Sequence, residues 1–280
     1  MKPSLFASLP NPGKMEEIQK EAKAILSLDL FDGARFEINK GLNPNFAVTH
    51  NISMGSSVAA PSYEFGANVG DERMLLASRI DHNGRLTGRY QHQLTPALAI
   101  RGMVGVSAEH SQDSLQLDLD IKGSHSFSGL RYMSGGVAMA TYMQSITPSL
   151  ALGSELFYHH GRCITGLHGA LKYGSADRVF TAKTGTFGNV ELTYAHKVNE
   201  KVGFATEVQY YHSQMCQFGI GAEFKLRHAT YKGLVTSDCT VSATLEEKVV
   251  PGIANFILSG QINHKKNDYK FGFGLALGGA

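Results

Sequence analysis

From about Phe31 almost to the last residue, apolar side chains recur at every second position, and helical spacing does not return. In SLQLDLDIKG, Leu115, Leu117, Leu119 and Ile121 alternate with Gln116, Asp118, Asp120 and Lys122, so a strand there has one aliphatic and one ionic face. CQFGIGAEFKLR sets Phe218, Ile220, Ala222 and Phe224 against Gln217, Gly219, Gly221, Glu223 and Lys225. VELTYAHK sets Val190, Leu192 and Tyr194 against Glu191, Thr193 and Lys197. ANFILSGQIN and YKFGFGLAL alternate in the same way, the second placing Tyr269, Phe271, Phe273, Leu275 and Leu277 opposite Lys270, Gly272, Gly274 and Ala276. Brief turn signals separate the segments, among them HNG at His82–Gly84, GSAD at Gly174–Asp177 and KKND at Lys265–Asp268. A tilted membrane strand of roughly 9 to 11 residues plus a tight turn gives a repeat of about 13, and hence about 19 strands.

A soluble sandwich also alternates, but its polar face is usually rich in Lys and Glu. Here the second face carries Gly, Ser, Thr, Gln and isolated charges. In a bilayer every backbone donor and acceptor needs an internal partner, so a spanning sheet must close on itself. An odd strand number closes only if one neighbouring pair runs parallel. The expected fold is therefore an all-β transmembrane barrel over residues 30–280. It is antiparallel except where the first strand, near Asp32–Leu42, meets the last, near Tyr269–Gly278.

The segment before it, residues 1–29, differs. Across NPGKMEEIQKEAKAILSL, Met15, Ile18, Ala22, Ile25 and Leu26 fall at spacings of three and four, with Pro12 early and Glu16 and Glu17 near the positive dipole end. This pattern predicts one short helix over Asn11–Leu28, its narrow stripe resting on the wall of the lumen.

Composition agrees. Charged residues are 18% of the chain and 31 of 280 are Gly, against about a quarter and about 7% in soluble domains. No apolar run approaches the roughly 18 residues of a spanning helix. Lys and Arg are spread along the whole length and net charge is +2, which disfavours nucleic acid as a partner. The three cysteines, Cys163, Cys216 and Cys239, suit neither a zinc pattern nor a disulfide framework. The first residues lack the apolar core of a secretory signal. Trp is absent, so an interfacial girdle falls to aromatics such as Tyr158, Tyr173, Tyr210 and Tyr269.

No phosphate-binding loop, dinucleotide fingerprint, nucleophile elbow or metalloprotease motif is present, and the expectation is no catalysis, no cofactor and no metal. His159 and His160 precede a turn without an evident third ligand. Asp118 and Asp120 look like a carboxylate pair, but an inward pore wall accounts for them.

Several blocks together carry a family resemblance. YMQSITPSLALGSELFYH (Tyr142–His159), NPGKMEE (Asn11–Glu17), INKGLNPNFAVTHNISMG (Ile38–Gly55), SATLEEKVVPG (Ser242–Gly252) and NHKKNDYKFGFGLALG (Asn263–Gly278) resemble, in order, the protein-conducting channel of the translocase of the outer mitochondrial membrane. That channel lies in the mitochondrial porin superfamily, whose metabolite porin is the alternative reading. Leu98–Ser134 and Ala176–Gly188 match least, and strand register there stays open. The resemblance implies a mitochondrial outer-membrane channel for unfolded precursor proteins. Basic presequences would be guided by inward acidic and polar patches that include Asp118, Asp120, Glu155, Glu191, Glu207, Glu223 and Glu246. Arg35, Arg101, Lys122, Lys197 and Lys225 share that face, so the wall would be patched and not uniformly negative. The resemblance also implies a single-span receptor, small helical subunits, lipid and a second barrel as partners. Lys270, Gly272, Leu275 and Leu277 would form a sorting signal read during assembly.

Overall fold

A computed structural model of the chain describes residues 9–56, 60–108, 113–211 and 216–278. The two-residue rhythm is realised as 19 strands in a single sheet. The first six are β1 Gly33–Asn43, β2 Phe46–Met54, β3 Ser62–Gly70, β4 Met74–Asp81, β5 Leu86–Thr95 and β6 Leu98–Val106. Then come β7 Ser114–Lys122, β8 Ser126–Met133, β9 Val137–Ser145, β10 Leu150–His159, β11 Ile164–Gly174, β12 Arg178–Gly185 and β13 Val190–Lys197. The last are β14 Val202–Tyr210, β15 Gln217–Lys225, β16 Ala229–Thr236, β17 Thr240–Val250, β18 Ala254–Asn263 and β19 Asp268–Leu277. Sequence neighbours pair antiparallel. The sheet closes where β1 runs parallel to β19, from Gly33 beside Gly272 to Ile38 beside Leu277. Closure pairs the edge of the first strand with that of the last, which is what a bilayer interior demands of a spanning sheet.

Burial is inverted relative to a soluble domain. Thr181, Thr193 and Ser259 are almost wholly buried, while Leu117, Leu130, Leu156 and Leu167 are about half exposed. Leu115, Leu117 and Ile121 stand on the outer surface with no second sheet against them, as an outer face bathed in lipid requires. Tyr158, Tyr173, Tyr210 and Tyr269 all point outward and lie at or next to strand ends. None of the described helices is long and apolar enough to cross a membrane.

The N-terminal segment runs through the lumen as a strap. The single helix expected over Asn11–Leu28 is replaced by a 3-10 turn at Met15–Glu17 and a seven-residue helix α1, Lys20–Leu26. Gly13 adopts a φ of +81°, which turns the chain ahead of the first helical residue. Gln19 breaks the two pieces apart and is buried against the wall, donating to Glu191 at 3.1 Å. Such short helical pieces have little stability alone and take their shape from what they pack on. The apolar stripe nevertheless does what its spacing predicts. Met15 and Ile18 pack with Phe127, Met143, Ala151 and Ala170. Ala22, Ile25 and Leu26 pack with Ala195 and Ala205.

Candidate functional site: the lumenal wall

The strap identifies the inner face, because Ile25 and Leu26 lie directly on Gly203 of β14 and Gly221 of β15. Counting by twos from these positions, and across the ladders by register, puts Asp118, Asp120, Glu155, Glu191, Glu207, Glu223 and Glu246 on the lumenal face. Arg35, Arg101, Lys122, Lys197, Lys225 and Lys270 share it. Gly272 faces inward and Leu275 and Leu277 outward.

Sharing a face does not make these groups equivalent. Asp118 and Asp120 are 5% and 7% exposed and sit in a network of cations. Arg131 Nε is 2.7 Å from Asp118, and Arg101 Nη2 is 3.0 Å from Asp120 and 3.6 Å from Asp118. From the strap, Lys14 Nζ reaches Asp120 at 2.7 Å and Glu16 pairs with Arg131. The pair that looks, in sequence, like open wall is therefore the mooring of the strap's first turn. Buried charges persist only when paired and hydrogen-bonded, and here each carboxylate has at least two donors.

Further moorings follow along the strap. Asn11 Nδ2 donates to the Gly123 carbonyl at 2.7 Å, and Ser145 Oγ donates to that of Pro10 at 2.7 Å. Lys172 Nζ lies 2.9 Å from Glu21, and Lys232 Nζ donates to the Ala24 carbonyl at 2.7 Å. Arg35 pairs with Asp29 and lies over the Phe31 ring. Ser259 Oγ donates to the Phe31 carbonyl at 2.7 Å. The strap thus crosses from the β7–β9 wall past β10–β16 to β18 and β19.

The remaining carboxylates divide by their partners. Glu155 contacts His168 at 3.2 Å, and Glu223 lies 3.2 Å from Lys225 and 3.7 Å from Lys232. Among the described residues, Glu207 accepts only from Gln209, at 2.6 Å, and Glu246 only from Asn255, at 3.3 Å. Beside Glu207, a cavity of about 150 Å³ is lined by Leu26, Gln209, Leu234 and Asp238. Lys122 and Lys197 are exposed at the ends of β7 and β13.

Sequence reasoning missed the wall cations Arg131, Lys172, Lys183 and Lys232. Arg131 and Lys183 lie in stretches whose register stays open in sequence. Lys172 and Lys232 carried a usable signal, the inward parity opposite Leu171, Tyr173, Tyr231 and Gly233.

Comparisons with known proteins fit this architecture. Residues 11–272 match the model of the family described as eukaryotic porin. The chain is 33% identical over 284 residues to the probable mitochondrial import receptor subunit TOM40-2 of Arabidopsis thaliana, covering 96% of this chain and 91% of that one. It is 32% identical over 290 residues to the TOM40 homolog of Xenopus laevis, covering 96% and 85%, and 31% identical over 290 residues to that of Homo sapiens, covering 96% and 79%. Among solved structures, an engineered mutant of Rh. blastica porin superposes with a TM-score of 0.51 at 9% identity, covering 81% of this chain and 95% of that chain, a likeness of fold alone. The chain belongs to the eukaryotic porin family, in the group of the mitochondrial import receptor subunit TOM40, and is a β-barrel of the mitochondrial outer membrane.

Proposed function

We propose that the barrel conducts unfolded precursor proteins across the outer mitochondrial membrane and guides basic presequences along the half-exposed carboxylates of the β13–β17 arc. The observation that carries the reading is that Glu207 and Glu246 have amide donors only and no cation within ion-pair distance among the described residues. Presequences are amphipathic and rich in basic residues. Next to Glu207 lies an apolar floor of Leu26 and Leu234, so the arc offers both a charge and a surface for the other helix face. Glu191, Glu223 and Glu155 continue the path with partial compensation by Gln19, Lys225, Lys232 and His168. Asp118 and Asp120 hold the strap in this reading and take no part in the path. Attraction stays weak at each step, as conduction through a channel requires.

The test is block of current in planar bilayers by a synthetic basic presequence peptide. Glu207→Gln with Glu246→Gln should weaken block about five-fold, from roughly 0.5 kcal/mol per lost exposed pair. Undiminished block in that variant would remove the arc from the path. A wild-type barrel that ignores the peptide would favour the metabolite porin.

The apolar outer wall would seat lipid, a single-span receptor and small helical subunits of the translocase, with a second barrel at the β1–β19 seam. Leu275→Cys, which faces outward there, should form a covalent dimer under mild oxidation in outer-membrane vesicles. A purely monomeric product would put the contact elsewhere.

A further inference from the structure

The described residues of the strap leave part of the lumen uncovered. Among the described residues, none of its hydrogen bonds or ion pairs reaches β2–β6. On that side a cavity of about 630 Å³ opens over β4–β8, lined by Leu75, Arg79, Arg89, Met103, Gln116 and Met133. Arg79 stands opposite Thr87 and Arg89 opposite Ala77. The two arginines are therefore diagonal neighbours on one face of a hairpin, roughly 7–8 Å apart at the backbone and within reach of one anion.

Their situation differs from that of the other wall arginines. Arg101 and Arg131 are committed to Asp118 and Asp120. Arg79 touches Glu64 only at 3.9 Å, with its side chain 55% exposed. Arg89 is exposed and makes no ion pair with any described residue. A guanidinium left open in this way presents a planar fork suited to a carboxylate. The surface beside it is apolar. Leu75 and Met103 are 39% and 47% exposed although both face the lumen, where water-facing positions are elsewhere mostly Gly, Ser, Thr or charged. Met adapts to varied apolar shapes.

We propose that this arc is a second peptide lane, which binds acidic segments of a passing chain flanked by apolar residues. Its open guanidiniums are opposite in sign to the open carboxylates Glu207 and Glu246 of the β13–β17 arc, and it lies on the side of the lumen that the described residues of the strap leave open. The proposal rests on the reading that the barrel conducts polypeptide. A basic presequence is repelled from Arg79 and Arg89 and drawn to Glu207. An acidic stretch arriving later in the same chain finds the reverse, so a chain of mixed charge is held weakly throughout its passage and is never repelled from the whole wall.

Two peptides added to the barrel in planar bilayers test this: a basic presequence, and a short amphipathic peptide of Glu and Leu. Both should block wild type. Arg79→Gln with Arg89→Gln should weaken block by the acidic peptide ~10-fold and leave block by the basic one within about two-fold, as expected for lost charge-assisted contacts. Arg79→Lys with Arg89→Lys, which keeps the charge, should retain most of the acidic block. Acidic block that is absent in wild type, or equal in the Gln variant, overturns the proposal while basic block persists. Failure of both peptides on wild type instead overturns the reading of the barrel as a polypeptide channel.

Discussion

Asp118→Asn should loosen the strap and lower the barrel's stability by on the order of 3 kcal/mol, the usual cost of removing one partner from a buried ionic network. The substitution keeps the volume and removes the charge. Arg101 and Arg131 would then face each other with only Asp120 between them, and an amide N–H₂ would point toward guanidinium donors. Arg131 also holds Glu16, so the disturbance passes straight to the strap. Two readouts check it: the urea midpoint followed by tyrosine fluorescence, and the rate at which protease cuts after Lys14 or Lys20. A midpoint and a cleavage rate equal to wild type would mean that the cluster carries no anchoring role. Glu207→Gln should leave both unchanged, since no described residue of the strap bonds to its carboxylate.

Gly272→Val should prevent normal closure. A side chain at that position would collide with the carbonyl oxygen and ring of Phe31, and its Cβ would come within 2.7 Å of Ser259 Oγ. Overpacking of this kind costs about 1–3 kcal/mol, and here the obstacle is backbone, which cannot rotate aside. Gly272 sits at the seam beside Gly33 and under the end of the strap, so a single methyl-bearing carbon disturbs both. The same glycine belongs to the segment that resembles a sorting signal, and refolding from urea into detergent micelles separates the two roles. If the variant refolds there with wild-type stability, Gly272 matters only to recognition during assembly. We expect it to fail, with the folded band lost from cold electrophoresis at temperatures the wild type survives.

The cylinder was legible because its rule is local. Leu115, Leu117, Leu119 and Ile121 face outward for the same reason as Phe271, Phe273 and Leu275, and turns such as His82–Gly84 divide the rows. The first and last strands lie within one residue of the expected bounds, and their parallel pairing follows from an odd count. Parity likewise put all seven carboxylates on the inner face. What it did not reveal was which of them are open. That depends on partners far away in the chain, such as Lys14 for Asp120, 106 residues on, and Arg131 for Asp118 from a strand whose register is ambiguous in sequence. The helix shows the same limit. Met15, Ile18, Ala22, Ile25 and Leu26 keep one stripe whether the backbone is one helix or two pieces, so spacing alone does not reveal the break at Gln19.

The parallel junction of β1 with β19 also limits how the enclosed segment can reach its place. Gly33 and Gly272 are near opposite ends of the chain, and contacts of such long sequence separation form slowly. The leader that precedes β1 ends up enclosed, tied to walls made from residues 120 to 259. It can enter sideways, into the groove of the curling sheet before the last strand arrives, or lengthwise, through a mouth of the finished cylinder. Once the last strand fastens the seam, only the lengthwise route is left.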